Sequence, residues 1–161
     1  MIRRLRQDDA EELAALLSAN RDFLAPFDPV RDECFFTREG QAARIAQHGN
    51  LFAILDDGEI AGAIAISNVV LGAFRSGTVG YWVDEARNGR GLASAAVAAL
   101  AETAFGELEL HRLEAGALVD NVASQRVLER NRFTRIGLAQ RYLHIGGAWR
   151  DHVLFQRTAE D

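Results

Sequence analysis

The sequence predicts a mixed α/β fold, with a mostly antiparallel sheet that carries one parallel strand pair. Three observations predict it. A strand, a Gly-rich turn, an Ala-rich helix and a second strand follow one another over residues 78 to 118, and a connection of that length joins parallel strands, nearly always with a right-handed crossover. Upstream, two apolar runs meet through Asp56-Asp57-Gly58-Glu59, where Asp-Gly supplies the positive φ angles of a tight hairpin. Downstream, Gly146-Gly147 separates two more strand-like runs in the same way.

Taken in order, Ile2 to Leu5 reads as a strand. Asp8 or Asp9 then stands as the N-cap of an amphipathic helix with Leu13, Leu16 and Leu17 at helical spacing. Asn20 to Pro29 holds both prolines and several aromatics, so it reads as a turn or short helix that breaks into a loop. Thr37 caps a second helix to about His48. Leu51 to Leu55, Ile60 to Ser67 and Thr78 to Asp84 are the next strands. Leu92 to Phe105 is helical, with Leu92, Ala96, Ala99 and Leu100 on one face, small enough to pack close to a sheet. His111 to Leu118 is a strand, Asn121 to Asn131 a helix, and Phe133 to Ile145 and Trp149 to Arg157 form the last hairpin. No repeat, low-complexity tract or linker interrupts residues 1–161, which read as one domain.

Composition removes several classes of function. The 161 residues suffice to bury roughly two-thirds of the surface of the unfolded chain without a covalent staple. Cys34 is the sole cysteine, which forbids an intramolecular disulfide and fits a cytoplasmic address. The amino terminus has no apolar stretch of signal-peptide length, and no segment approaches the ~20 apolar residues of a membrane span. A net charge of -5 disfavours binding to a nucleic-acid backbone. All 18 basic residues are arginine, so a lysine Schiff base, a lysine general base and a P-loop are excluded.

Residues Asn88 to Ser94 combine glycines at a strand-to-helix junction with flanking Arg87 and Arg90. Gly89 and Gly91 allow backbone N–H groups to approach an anion, the helix start offers unpaired donors, and arginines add bidentate phosphate contacts. Spacing alone leaves two readings: an anion cradle, or glycines that only make a tight turn.

The run Arg87-Asn88-Gly89-Arg90-Gly91-Leu92-Ala93 resembles the acetyl-CoA signature of the Gcn5-related N-acetyltransferase (GNAT) superfamily, Gln/Arg-x-x-Gly-x-Gly/Ala, with Gly91 and Ala93 in its two small positions and Asn88 where Gln or Arg is usual. Asn121-Val122-Ala123-Ser124 and the helix leading to Phe133 resemble the next block of that family. The run Tyr142 to Leu154 is similar to the ending of its Rim-type branch, the ribosomal-protein N-terminal acetyltransferases. Gly80-Tyr81-Trp82-Val83, His111-Arg112-Leu113-Glu114 and Asn20 to Pro26 agree with that branch too.

The resemblance implies a sheet splayed between the strand ending near Val83 and the strand starting near His111, with acetyl-CoA in the gap and no metal. Trp82, Val83, Arg87, Asn88, Gly89, Arg90, Gly91, Leu92, Ala93, Ser94, Asn121 and Ser124 are then the cofactor-binding residues. A backbone N–H near Val83 is expected to polarise the thioester carbonyl. Where many members of the superfamily carry a Tyr acid, this chain has Leu128. Ser124 matches the Rim-type acid, although it is equally a helix N-terminal hydroxyl, and Asn121 equally an N-cap. Arg132 replaces a Gly before Phe133, and Leu143 stands where some relatives have a Glu base. Glu114 is therefore the first candidate base, followed by Asp84 and Glu85, with His111, His144 and His152 as possible relays.

The expected acceptor is a primary amine that attacks directly, without an acyl-enzyme on Cys34. Asn20, Phe23, Tyr142, Trp149 and Asp151 are the candidate acceptor-binding residues, with Phe27 a further wall of the acceptor channel, and core or hairpin roles are the alternative for all of these aromatics. A protein N-terminus, a small amine, or acetyl-CoA sensing without turnover are the three functional readings, in a monomer or homodimer.

Overall fold

The computed structural model describes residues Met1–Asp161. Its strands are β1 (Ile2–Arg4), β2 (Leu51–Asp56), β3 (Glu59–Val70), β4 (Ser76–Val83), β5 (Arg112–Leu118), β6 (Thr134–Ile145) and β7 (Ala148–Thr158). Its helices are α1 (Ala10–Ala19), α2 (Arg21–Leu24), α3 (Arg38–Gln47), α4 (Leu92–Gly106) and α5 (Val122–Arg130). The strands form one sheet in the order β1-β2-β3-β4-β5-β7-β6. Every neighbouring pair is antiparallel except β4 and β5, which are parallel and joined by α4.

Both tight hairpins take the predicted form. Asp57 and Gly58 have φ of 49° and 90°, and Gly146 and Gly147 have 58° and 85°, the paired left-handed angles that match the twist of the flanking strands. Thr37 caps α3 by accepting the Gly40 N–H at 3.1 Å. Asp9 precedes α1 but its side chain makes no bond into the helix; the carboxylate instead takes a two-pronged bond from Arg3 (2.7 and 2.8 Å) and the Arg6 N–H at 2.7 Å. β3 runs on to Val70 and β4 starts at Ser76, longer than the predicted strands, because the ladder resumes after an irregularity between Ser67 and Val70 where Asn68 takes a φ of 50°.

Strand alternation divides the sheet between two helix layers. Val79, Val83, Leu113, Ala115, Val153 and Phe155 pack with Ala96, Val97, Leu100 and Leu128 of α4 and α5. On the opposite face Leu51, Ala53, Ile60 and Ala63 pack with Leu13 and Leu17 of α1. Leu128, at the position of the superfamily's Tyr acid, is 1% exposed and belongs to this core.

The feature that makes a site is the short contact between β4 and β5. They pair at Ser76 with Arg112, Gly77 with Leu113 and Thr78 with Glu114, and no further. Beyond that rung β4 follows β3 and β5 follows β7, which opens a wedge at the carboxyl ends of two parallel strands.

Candidate active site

Backbone direction shows what lines the wedge. Arg75 O accepts from His111 N–H and Arg112 N–H at 2.7 and 3.1 Å, towards β5, whereas Asp84 N–H donates to Ala61 O at 2.8 Å, towards β3. Because direction alternates along a strand, the main-chain groups of Val79, Tyr81 and Val83 face the opening, where β5 is out of reach. Val83 itself is buried, and Trp82 packs on the α1 side of the sheet.

After β4 a short turn over Glu85–Arg87 leads into the glycine loop. Gly89 and Gly91 have φ of 77° and 79°, and a Cβ on either would meet nothing within 4 Å. The glycines are therefore required by backbone conformation, not by crowding. Gly91 is the N-cap of α4 and offers no side chain to it. The main-chain N–H groups of Gly89, Arg90, Gly91, Leu92, Ala93 and Ser94 make no hydrogen bond within the protein. Six consecutive main-chain donors without an internal partner thus stand at the positive end of a 15-residue helix, where an anion is favoured.

The arginines beside the loop are arranged differently from expectation. Arg87 donates to Glu59 at 2.6 Å and lies 3.6 Å from both Asp56 and Asp84. The Glu59 contact raises its already high pKa. It fastens the loop to the β2–β3 turn. Arg90 also pairs with Asp56, but its side chain is about half exposed. Asn88 N–H is taken by Glu85 O at 3.2 Å, so Asn88 adds no free main-chain donor. The Ser94 hydroxyl accepts from buried Asn131 at 3.0 Å, tying the start of α4 to the end of α5.

Across the wedge, Asn121 caps α5 by accepting the Ser124 N–H at 3.1 Å, which fixes the Ser124 backbone. The Ser124 hydroxyl lies 2.9 Å from the Tyr81 hydroxyl, which also reaches Ser124 O at 3.3 Å. Burial pushes the Tyr81 phenol up to about 12, against the downward pull of its bond with Ser124. Sequence reasoning passed over Tyr81, since its partner is 43 positions away and only the β4-to-α5 packing joins them.

The candidate bases fare unequally. Glu114 stands on the last paired rung, at the closed vertex of the wedge, and is held by Arg112 at 2.8 Å; it does not border the open end. Asp84 caps the turn after β4 and accepts from Asn20 at 3.0 Å. Glu85 is exposed in that turn. Asn20 is 3% exposed, and its amide is used up internally: Nδ2 donates to Leu16 O and Asp84, and Oδ1 accepts the Glu85 N–H at 2.9 Å. It thus positions the end of β4 from inside the fold, which corrects the expectation of direct acceptor contact.

On the α1 side of β5, Gly116 leaves an uncovered stretch of strand. The Tyr142 and His152 rings meet edge to face at 5.6 Å beside it. His152 is buried, with Nδ1 3.0 Å from Arg150 O; a carbonyl only accepts, so Nδ1 is the donor in that bond. Trp149 is 62% exposed and stacks edge-on with His144. Asp151 accepts the Arg141 N–H at 2.7 Å, holding an irregularity in β6. With Val119, Asp120 and Arg150, Trp149 and Asp151 line a cavity of about 330 Å³. Phe23 and Phe27 pack together at 6.2 Å near α2, apart from that cavity's lining. His111 is exposed near Glu160, and Leu143 is an exposed residue of β6.

Comparison with known proteins decides the family. The family model described as an acetyltransferase (GNAT) domain matches residues 1–134. The chain belongs to the GNAT acetyltransferases. The [ribosomal protein uS5]-alanine N-acetyltransferase of Escherichia coli (strain K12) is 34% identical over 100% of this chain and 88% of its own. The ribosomal-protein-S5-alanine acetyltransferase of Vibrio fischeri superimposes with a TM-score of 0.94 at 34% identity, over 99% of this chain and 93% of that one. Mycobacterium smegmatis RimJ, solved with CoA-disulfide, gives 0.92 at 36% identity, over 99% of this chain and 81% of that one. This GNAT acetyltransferase is therefore an acetyl-CoA-dependent N-acetyltransferase. Its glycine loop, with six open N–H donors, suits the chemistry of the pyrophosphate of that cosubstrate.

Proposed function

We propose that this acetyltransferase acetylates the N-terminal α-amine of a protein, a ribosomal protein being the first candidate. One observation carries the reading: Glu114 and Asp84 on the strands that bound the wedge, and Asp120 and Asp151 in the cavity beside Trp149, are each held by an internal partner. Glu85, the remaining candidate, is exposed in the turn after β4. An α-amine (pKa ~8) is already ~10% neutral at pH 7, while a lysine amine (pKa ~10.4) is neutral less than ~0.1% of the time. That gap of ~2.5 units corresponds to ~3.4 kcal/mol, which a site without a dedicated base does not supply. The names of the full-length relatives in Escherichia coli and Vibrio fischeri support the same acceptor class.

In this reading the peptide enters over Gly116, beside Tyr142, Trp149 and Asp151. The neutral amine attacks the thioester carbonyl carbon. The C–N bond forms, the C–S bond breaks, the sulfur leaves with the electron pair, and the amine proton passes to water. A backbone N–H on the Val83 edge of β4 meets the charge that develops on the carbonyl oxygen, an effect of ~3 kcal/mol in comparable acyl-transfer sites. A cytoplasmic place of action goes with a ribosomal acceptor. No helix is long and apolar enough to cross a membrane.

The test is CoA release from acetyl-CoA against short peptides with free N-termini beginning Ala, Ser or Met, N-blocked lysine peptides, and small amines. Turnover confined to free N-termini is the expected result. Turnover with small amines alone moves the function to metabolite modification, and binding without turnover makes the protein a sensor.

A further inference from the structure

Two hydroxyls from opposite walls of the wedge meet at 2.9 Å: Tyr81 from β4 and Ser124 from the first turn of α5. The bonds of Tyr81 to Ser124 are the hydrogen bonds that link β4 to α5. The Tyr81 ring packs against the core shared with α4 and α5, while its main chain lies beyond the last paired rung of β4 and β5.

We propose that Tyr81 is a positioning residue for the departing sulfur and acts through Ser124, its phenol donating to Ser124 Oγ and so directing the serine proton towards the sulfur of CoA. The inference rests on the reading that Ser124 faces that sulfur. The single phenol proton has two acceptors in reach, Ser124 Oγ at 2.9 Å and Ser124 O at 3.3 Å; the phenol is the stronger acid of the two hydroxyls and gives its proton to the nearer Oγ, and a hydroxyl that accepts one bond donates the next more strongly. Asn121 fixes the Ser124 backbone while Tyr81 fixes its rotamer. Because burial lifts the phenol to about 12, Tyr81 stays protonated throughout the working pH range. No proton needs to leave Tyr81: the C–S bond breaks, the sulfur retains the pair as thiolate, and the Ser124 hydrogen bond, strengthened by the one from Tyr81, stabilises it.

The experiment titrates the thiol of protein-bound CoA by thiolate absorbance, which requires no acceptor, in wild type, Tyr81→Phe, Ser124→Ala and the double variant. Both single substitutions are expected to raise the thiol pKa, Tyr81→Phe by about half to one pH unit. The double variant is expected to match Ser124→Ala alone. On an accepted peptide, Tyr81→Phe should lower kcat roughly 2- to 10-fold with KM for acetyl-CoA within about twofold. Fluorotyrosine at position 81, a stronger donor of nearly the same shape, should lower the thiol pKa, which guards against a packing artefact.

An unchanged thiol pKa in Tyr81→Phe, or the same rise in the Ser124→Ala background, overturns the inference. If Ser124→Ala lowers peptide turnover and Tyr81→Phe does not, this inference alone fails. If the thiol shifts appear but no peptide is acetylated, the α-amine reading fails and the hydroxyl pair stands.

Discussion

The Asn20 amide donates to the Asp84 carboxylate at 3.0 Å and accepts the Glu85 N–H at 2.9 Å, linking the end of α1 to the turn that follows β4. This clamp sets where the Val83 edge ends and the glycine loop begins. Asn20→Ala leaves the Glu85 N–H without its acceptor and removes one partner of Asp84, so it should lower stability by about 1–3 kcal/mol. Urea unfolding checks this, and acetyl-CoA affinity, measured by calorimetry, should fall with it because the loop loses its anchor.

The glycine loop predicts a contrast between two substitutions. Gly91→Glu forces a side chain into a φ of 79° and adds negative charge beside the pocket, so acetyl-CoA binding should be abolished. Arg87→Ala removes a side chain committed to Glu59, Asp56 and Asp84, so binding should weaken by less than about threefold. Calorimetric titration of both variants decides; undiminished affinity in Gly91→Glu rules out the assigned pocket.

Much of this was legible because it is local. Asp57-Gly58 and Gly146-Gly147 announce their hairpins, and Gly89 and Gly91 announce a loop that needs positive φ. What was hidden depends on distant partners. Arg87 and Arg90 read as phosphate ligands until the fold brings Asp56 beside them, 31 and 34 positions away. Asn20 and Asp84, 64 positions apart, and Tyr81 and Ser124, 43 apart, carry no sequence signal of their contact. Glu114 read as a candidate base bordering the cofactor gap, and only the register with Thr78 places it at the closed vertex.

Arg132 shows a replaced glycine whose geometry survives. It has a φ of 64°, and the N–H groups of Arg132 and Phe133 bond back to Glu129 O and Leu128 O at 3.1 Å. A side chain in the left-handed region costs about 1–2 kcal/mol. Arg132→Gly relieves that strain but gives up a bond to Asp161 O at 2.9 Å and adds unfolded-chain entropy. A small net gain, up to about 1 kcal/mol, is expected in thermal unfolding, with acetyl-CoA affinity unchanged.

The Arg3–Asp9 pair gives stability a pH signature. The Arg3 bond, foremost, and the Arg6 N–H lower the Asp9 pKa against the opposing effect of burial. A carboxylate with a depressed folded pKa stabilises above its unfolded value, near 4, and loses that contribution as pH falls through the folded value. Asp9→Asn should therefore reduce stability by about 1–3 kcal/mol at pH 7. The difference from wild type should shrink below about pH 4, as denaturant midpoints measured across pH would reveal.

The most direct test of the central claim uses one peptide with a free N-terminal Ala and one internal lysine, incubated with acetyl-CoA and the protein, and locates the acetyl group by fragment mass spectrometry. Acetylation at the α-amine alone, with the lysine untouched, is the predicted result. Acetylation at the lysine side chain would contradict it.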